Sequence, residues 1–329
     1  MRGRASIARV ILLAAVASLV AYGSDSLAQV KLRVGYAVAR DSHLGDGVDA
    51  FARALARAAP GRFVVEHAPA GQAGGEAELM RGVRDGSVEL CAISTGPVSN
   101  HVPEVRILDL PFLFHDYAHA RRVLDDPIGR NLLDKFPARG LIALAWAEHG
   151  FRHLTNNKRP IVYPDDLKNL RIRTMENPVH MAAVKALKAQ PQPLPLTKLL
   201  EALRADRLDG QESPVTVTTS SKIHESQKFF SLTGHSYSAG LILIAPQVWA
   251  TLSETDRAAL KSAALAAAVA TRQRVGFDEI RAIDQLRQAG MQVNVFVDGP
   301  AFRRLLRDQY KQFCLEVDRQ MLEAIQRGL

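Results

Sequence analysis

Two arginines occupy alternate positions in the short segment LRIRTM, residues 170–175. The alternation of apolar and charged residues predicts a β-strand in which Arg171 and Arg173 share one face. A guanidinium group presents a planar fork of N–H donors that binds a carboxylate through two parallel hydrogen bonds. Most arginines in a protein are solvated surface charges. The pattern therefore leaves two alternatives open: a solvated strand face, or a cleft in which one of the two arginines holds an anion.

Motifs of the common catalytic and cofactor-binding sites are absent from the sequence. GxGxxG, P-loop, GxSxG and HExxH patterns do not occur, and the glycines of AGQAGGEAEL lack a nucleotide-binding spacing. His115 and His119 have the i, i+4 spacing of a two-histidine metal site, although their polar surroundings favour a solvated helix face. Because no nucleophile, base and orienting group assemble, we predict a protein that is not an enzyme and needs no cofactor or metal.

The N-terminal segment has the features of a secretory signal peptide. A basic start, MRGRASIAR, precedes the apolar run VILLAAVASLVAYG and the small-x-small ending Ser26, Leu27, Ala28. We expect cleavage near Ala28 and export of residues 29–329 to the periplasm. Cleavage removes three arginines and one aspartate, which lowers the formal net charge from +8 to +6. The remaining basic residues are interspersed rather than clustered, so nucleic-acid binding is not expected.

The two cysteines, Cys91 and Cys314, leave alternatives of their own. Export would permit a disulfide between them. The apolar context VELCAIS around Cys91 equally suits a buried free thiol, and no spacing pattern decides between the two.

Strands and helices alternate along the exported chain in two series. The first series runs from a strand at 31–39 to an apolar strand at 140–147, and the second opens with a strand at 151–155 and includes the arginine strand. Such alternation predicts βαβ units with a mainly parallel sheet in each of two lobes. A further strand at 239–245 is expected to return to the first sheet.

A long helical segment begins after Ser253, which is well placed as an N-cap, and reaches Gly290. At 1.5 Å per residue it would span about 54 Å, more than the width of one small domain, so we expect two lobes to share it. An exported two-lobed α/β protein without catalytic groups has the form of proteins that capture small molecules in a cleft between lobes. The predicted division is a signal peptide at 1–28, lobe I at 29–149 plus 239–278, and lobe II at 150–238 plus 279–329.

Five segments, in order along the exported chain, resemble the DctP family of substrate-binding proteins from tripartite ATP-independent periplasmic (TRAP) transporters. PAGQAGGEAELMRGVRDGSVEL and ISTGPVSNHVPEVRILDLPFLF match motifs of the family's first half. DLKNLRIRTMENPV, LEALRADRLDGQESP and KIHESQKFFSLTGH match motifs of its second half. The resemblance implies an α/β, two-lobed periplasmic binding protein fold with a central ligand cleft. It also implies a binder, which we expect to be monomeric, that closes on a small organic acid and delivers it to TRAP membrane permease subunits.

The same resemblance assigns roles to residues of the second lobe. The family's carboxylate-binding arginine falls on Arg173, and a second arginine of its G-x-R pattern falls on Arg152. Arg171 falls on the family's usual lysine and is expected to be solvated. Ser213 replaces an asparagine that hydrogen-bonds the ligand acid, and serine is shorter and lacks the amide's paired donor and acceptor. Ser213 would therefore reach the carboxylate through water, or the ligand would be larger or shifted.

Residues of the first lobe are expected to contact the rest of the ligand: His43, Gln72, Glu76, Ser94 and Thr95. Leu196 and Thr197 would form a wall of the pocket without offering an aromatic stacking surface. The polar side chains of His43, Gln72 and Thr95 slightly favour hydroxy acids or sugar acids as ligands, but dicarboxylates, aromatic acids and oxo acids stay open. Gln72, Ser94 and Thr95 could instead cap helices or turns.

The alternative function is a sensory binding protein of the same fold that presents its ligand to a membrane receptor. An exported hydrolase or lyase would need catalytic groups that the sequence lacks.

Overall fold

The computed structural model describes residues 29–314 and 318–328, so the predicted signal peptide lies outside the described residues. Within them the strands form one continuous nine-stranded sheet in the order β2-β1-β3-β8-β4-β7-β5-β6, with β9 paired to β8. The strands are β1 (Val30–Gly35), β2 (Phe63–Ala68), β3 (Leu90–Ser94), β4 (Ile142–Asn156), β5 (Arg171–Thr174), β6 (Gln190–Pro193), β7 (Gly210–Pro214), β8 (Phe229–Ile244) and β9 (Gln292–Asn294).

Two long antiparallel strands, β4 and β8, run through both halves of the sheet. The sequence predicted separate strands at 140–147 and 151–155 and a short one at 239–245. In the structure the first two regions are joined in the single strand β4, and the third forms the end of the longer strand β8. The pairing shifts between Glu148 and Gly150, a bulge that bends a strand without ending it. Gly150 suits this position because its φ of +113° is strained for other residues. The sheet is mixed rather than mainly parallel, since its central pairs are antiparallel and its outer pairs are parallel.

Helices cover the faces of both halves, which confirms the predicted two-lobed α/β architecture. Short 3-10 turns span Pro103–Asp109, Pro137–Arg139, Pro164–Leu167 and Ile223–Ser226. The α-helices are α1 (His43–Ala58), α2 (Glu76–Asp85), α3 (Thr95–Val98), α4 (Tyr117–Asp125), α5 (Pro127–Leu133), α6 (Pro178–Ala186), α7 (Leu196–Arg204), α8 (Val215–Ser220), α9 (Pro246–Ala250), α10 (Glu254–Gln288), α11 (Gly299–Cys314) and α12 (Arg319–Gln326).

The 35-residue helix α10 is shared between the two lobes, as predicted. It begins after Ser253, whose hydroxyl accepts a hydrogen bond from the backbone N–H of Asp256. Its first half packs Leu260 into the core beneath α1, and its last turns pack Leu286 against Phe230 in a separate cluster of the second half. The helix therefore ties together two cores that the sheet alone would connect only through β4 and β8.

Two side chains that the sequence left ambiguous are buried. His119 was expected on a solvated face, and that prediction was wrong: its Nε2–H donates to the carbonyl of Ile325 in α12 at 2.8 Å. No local pattern could indicate a partner 206 residues away. Cys91 is a buried free thiol, while the side chain of Cys314 lies outside the described part. Within that part, no cluster of three or more histidine, cysteine, aspartate or glutamate side chains is arranged to hold a metal ion.

Candidate ligand-binding site

A cleft between the lobes leaves about 350 Å³ of empty space, part of it open to solvent. Strands β3, β4, β5, β7 and β8 supply residues from the sheet, and the first residues of α2 and α7 approach from either side. Six of its lining residues were predicted from the sequence: Glu76, Ser94, Arg152, Arg173, Leu196 and Ser213. Six others were not: Val38, His149, Met175, Pro214, Val217 and Ser238.

Arg173 is a buried cation without a protein counterion in the described part of the chain. The residue is 4% exposed, and its Nε–H donates to the backbone carbonyl of Leu194 at 2.7 Å. Burial lowers the pKa of Arg173 from 12.5 to about 10, opposed by Glu212 and reinforced by Arg152. Because a buried charge is costly unless it is paired, the guanidinium group is suited to receive an anion from solution.

Arg171, two residues earlier on the same strand, already has a partner. Its Nε and Nη2 donate to the two carboxylate oxygens of Asp209 at 3.1 and 2.9 Å. The side chain is 36% exposed, so it is partly solvated as expected but carries an ion pair that the sequence did not predict. The two arginines that were equivalent in the sequence thus differ in the structure, one being paired at the surface and the other buried beside the cleft.

Arg152 also lines the cleft, but Glu212 occupies its fork. Both side chains are almost fully buried, at 2% and 1% exposure. The Nε and Nη2 of Arg152 donate to the carboxylate of Glu212, with an Nη2–Oε1 distance of 2.9 Å, and Nη1 lies 3.3 Å from the hydroxyl of Ser238. Burial would raise the pKa of Glu212, yet Arg152 holds it well below the ordinary value. The pair is close to electrically neutral, which leaves Arg173 as the cation without an ion-pair partner among the described residues that line the cleft.

The first-lobe wall is polar where β3 ends. Glu76, the first residue of α2, accepts hydrogen bonds from the backbone N–H and the hydroxyl of Ser94 at 2.9 and 2.7 Å. A carboxylate is favoured at this point by the positive end of the helix dipole. On the opposite side, the hydroxyl of Ser213 lies 3.3 Å from that of Thr218. These groups offer a carboxylate acceptor and hydroxyls to the polar parts of a ligand.

Four predicted residues lie outside the lining of the cleft. Thr95 is buried and donates to Asp109 at 2.6 Å. His43 is buried behind the wall, with its Nε2 3.0 Å from Nδ1 of His149. The other two are exposed: Gln72 in a turn and Thr197 at the start of α7.

The two lobes contact each other across the cleft at glycine positions, where the lack of a side chain allows close approach. A Cβ added to Gly96 would lie 2.3 Å from the terminal methyl carbon of Met175, and one added to Gly71 would lie 2.5 Å from the methyl group of Thr197. The buried Asn177, N-cap of α6, also donates to the carboxylate of Asp109 at 2.7 Å. Direct contact at these points indicates a closed arrangement of the lobes.

Comparison with known proteins identifies the family to which this chain belongs. The model of DctP, bacterial extracellular solute-binding protein family 7, matches residues 34–316. The chain is a member of the DctP family. A curated solute-binding protein of Verminephrobacter eiseniae is 40% identical to this DctP-family protein over 302 residues, covering 92% of this chain and 90% of the relative.

Solved structures of TRAP periplasmic solute-binding proteins have the same fold as this DctP-family protein. The protein from Polaromonas sp. JS666, bound to D-erythronate, is 44% identical with a TM-score of 0.89, covering 91% of this chain and 98% of its own. The protein from Bordetella bronchiseptica, whose bound density was assigned as pantoate, is 40% identical with a TM-score of 0.90, covering 92% and 100%. Other members of this group were solved with galactonate or succinate bound.

Family membership fixes the general class of this protein. Members of the DctP family are extracellular or periplasmic solute-binding proteins. Within residues 29–314 and 318–328, no helix has both the length and the apolar character that crossing a membrane requires.

Proposed function

We propose that this protein captures a small organic acid in the cleft and holds the acid's carboxylate through Arg173. The observation that carries the proposal is the buried guanidinium group of Arg173, which lines the cleft and has no ion pair in the described residues. A carboxylate would supply the missing negative charge through two charge-assisted hydrogen bonds. Since the fork of Arg152 is occupied by Glu212, a second carboxylate would find no equivalent partner, and a monocarboxylic acid fits better than a dicarboxylic acid.

The other predicted residues are assigned to the rest of the ligand. Arg152, whose charge is balanced by Glu212, presents Nη1 beside Ser238 for a hydrogen bond to the acid, and Ser213 reaches the acid through water because its side chain is short. Glu76 and Ser94 face the polar substituents of the ligand, and Leu196 contributes an apolar wall. We place His43 and Thr95 behind this wall and Gln72 and Thr197 at its rim.

Closure of the lobes on the ligand is the proposed mechanism of capture. The boundaries at 149/150 and 238/239 fall where Glu148 pairs with Ala239, Gly150 pairs with Ser238, and the register of β4 shifts. A bulge weakens the ladder and lets the strands bend at this point. A ligand that contacts both lobes binds the closed form more tightly than the open form and therefore shifts the population towards closure.

Delivery of the bound acid to TRAP membrane permease subunits completes the proposed function. The TRAP proteins among the solved relatives support this step, and the signal peptide with cleavage near Ala28 would place the protein in the periplasm. We propose that it acts as a monomer and releases its ligand unchanged.

A thermal-shift screen followed by calorimetry tests the proposal. D-erythronate, pantoate, galactonate and succinate form the first panel, because they are the ligands of the solved relatives. A thermal shift detects binding because a ligand at 100 times its Kd stabilises the folded state by about 2.7 kcal/mol. We expect a monocarboxylate to bind wild-type protein and Arg173→Ala to weaken it by about 2–5 kcal/mol, the cost of removing one partner of a buried charge pair. Arg173→Lys should recover only part of the affinity because an ammonium group has no fork.

Arg171→Ala is the matched control, since it removes a guanidinium group from the same strand that already has a partner in Asp209. This variant should bind the acid as wild type does. Tight acid binding that survives Arg173→Ala unchanged would show that another group anchors the ligand.

A further inference from the structure

His149 is a buried polar side chain in the cleft that the proposed contacts do not use. It lies on β4, is 3% exposed and lines the same space as Arg173. Its Nδ1 is hydrogen-bonded to Nε2 of His43, and its Nε2 has no hydrogen-bond partner among the described residues. The backbone of Ile93 raises the pKa of the ring, against the larger lowering by burial. Buried polar atoms in native proteins nearly always have a partner. An unpartnered ring nitrogen beside a ligand cavity therefore points to a group that the ligand supplies.

A single hydrogen bond joins the two neutral imidazole rings, between Nε2 of His43 and Nδ1 of His149. Burial lowers the pKa of His43 well below 6.5, and the nearby His149 and Arg274 lower it further. Burial also lowers the pKa of His149, although the carboxylate of Glu76 opposes the shift. Each neutral imidazole has one N–H and one bare nitrogen. One outer nitrogen of the pair, either Nδ1 of His43 or Nε2 of His149, must then carry a proton while the other is bare.

The surroundings of His43 select between these two arrangements. His43 is the first residue of α1, and the N-terminus of a helix carries partial positive charge. The guanidinium group of Arg274 adds to this positive field. A bare nitrogen lone pair is favoured there over an N–H, so His43 carries its proton on Nε2 and donates it to Nδ1 of His149. The proton of His149 is consequently on Nε2.

We propose that the Nε2–H of His149 donates a hydrogen bond to a hydroxyl or keto oxygen of the bound acid, and that His43 is the positioning residue that makes it a donor. The inference rests on the proposed function, because it takes the carboxylate to be held by Arg173. Strand β7 lies between β4 and β5, so two strand spacings, about 10 Å, separate the strands that carry His149 and Arg173. The two side chains therefore meet different parts of one ligand. The substrate class is an oxygen-substituted monocarboxylic acid, and an unsubstituted alkanoic acid would leave the donor unsatisfied.

Calorimetry with D-erythronate, its three monodeoxy analogues and butyrate tests this contact. Wild-type protein should bind D-erythronate at least tenfold more tightly than one of the deoxy analogues, because that analogue leaves a buried donor unpaired. His149→Leu should lose this preference and bind D-erythronate no more tightly than wild type binds that analogue. Thermal denaturation of each variant without ligand shows that it is folded.

The role of His43 has its own readouts. Two-bond ¹⁵N–¹H correlation spectra of the labelled protein should show His149 with a protonated Nε2 and a bare Nδ1. His43→Ala should reduce the preference for D-erythronate over that analogue, and His43→Gln, whose amide nitrogen replaces Nε2, should restore part of it. The opposite tautomer of His149 would overturn the assignment of the donor.

The outcomes separate this inference from the proposed function. If His149→Leu keeps the full preference while Arg173→Ala abolishes binding, the inference is wrong and the proposed function stands. Equal binding of D-erythronate and butyrate by wild type also overturns the inference. If wild type binds none of these acids, nor those of the first panel, the proposed function fails and the inference falls with it.

Discussion

Replacing Glu212 by glutamine should destabilise the unliganded protein strongly, because it leaves the buried guanidinium group of Arg152 without its counterion. The carboxylate accepts hydrogen bonds from Nε and Nη2 of Arg152, and the neighbouring His180 is neutral at pH 7 since burial lowers its pKa from 6.5 to about 3. An amide of the same shape would turn its own NH₂ group towards at least one of these donors. Removing one partner of a buried ion pair costs about 3–5 kcal/mol.

Urea unfolding followed by tryptophan fluorescence measures this loss, since Trp146 is buried on β4, the same strand as Arg152. Glu201→Gln is the matched control: its partner Arg207 is 2.8 Å away, but the glutamate is 67% exposed. Exposed pairs contribute about 0–1 kcal/mol. The double variant Arg152→Met, Glu212→Gln should be more stable than Glu212→Gln alone, because it also removes the unpaired cation.

The pH dependence of this difference has a definite sign. Pairing holds the folded-state pKa of Glu212 below its ordinary value of 4.5. Its contribution to stability is therefore fully present above pH 4.5 and is lost as the pH falls through the lower folded-state value. The difference in unfolding free energy between wild type and Glu212→Gln should therefore stay constant above pH 4.5 and narrow as the pH falls from 4.5 towards the lower folded-state pKa. A loss at pH 7 no larger than that of Glu201→Gln would refute the reasoning.

Two further substitutions test the contacts between the lobes. Asn177→Ala removes the N-cap of α6 and the donor to Asp109 and to the hydroxyl of Ser99, so we expect urea unfolding to show a loss of about 2–3 kcal/mol; a loss below 0.5 kcal/mol, on the order of an ordinary surface change, would contradict this account. Gly96→Ala places a methyl group against Met175, so calorimetry should show acid binding weakened by about 1–3 kcal/mol with little change in unliganded stability. Adding Met175→Ala should restore affinity, and unchanged affinity in Gly96→Ala alone would mean that this contact is absent from the ligand-bound form.

The family and the main features of the fold could be read from the sequence because they depend on local patterns. The alternation of strands and helices gave the two lobes, and the N-cap at Ser253 gave the start of the shared helix, because periodicity and capping are properties of neighbouring residues. The ordered motifs singled out Arg173, which the structure places beside the cleft. Strand boundaries were less accurate, since a bulge at Gly150 lets β4 continue where the pattern suggested a break.

Only the tertiary structure decided what each charged or polar side chain pairs with. The partner of Arg152 is Glu212, 60 residues away along the chain, and the partner of His43 is His149, 106 residues away. A sequence shows that these residues can ionise or donate a proton, but their burial and pairing depend on which strands lie side by side. Arg171 and Arg173 illustrate the difference: they occupy equivalent positions in one short segment, yet Arg171 pairs with Asp209 at the surface, whereas Arg173 faces the cleft and has no counterion among the described residues. Residue type and spacing were therefore determined locally, whereas the availability of a charge for a ligand was set by long-range packing.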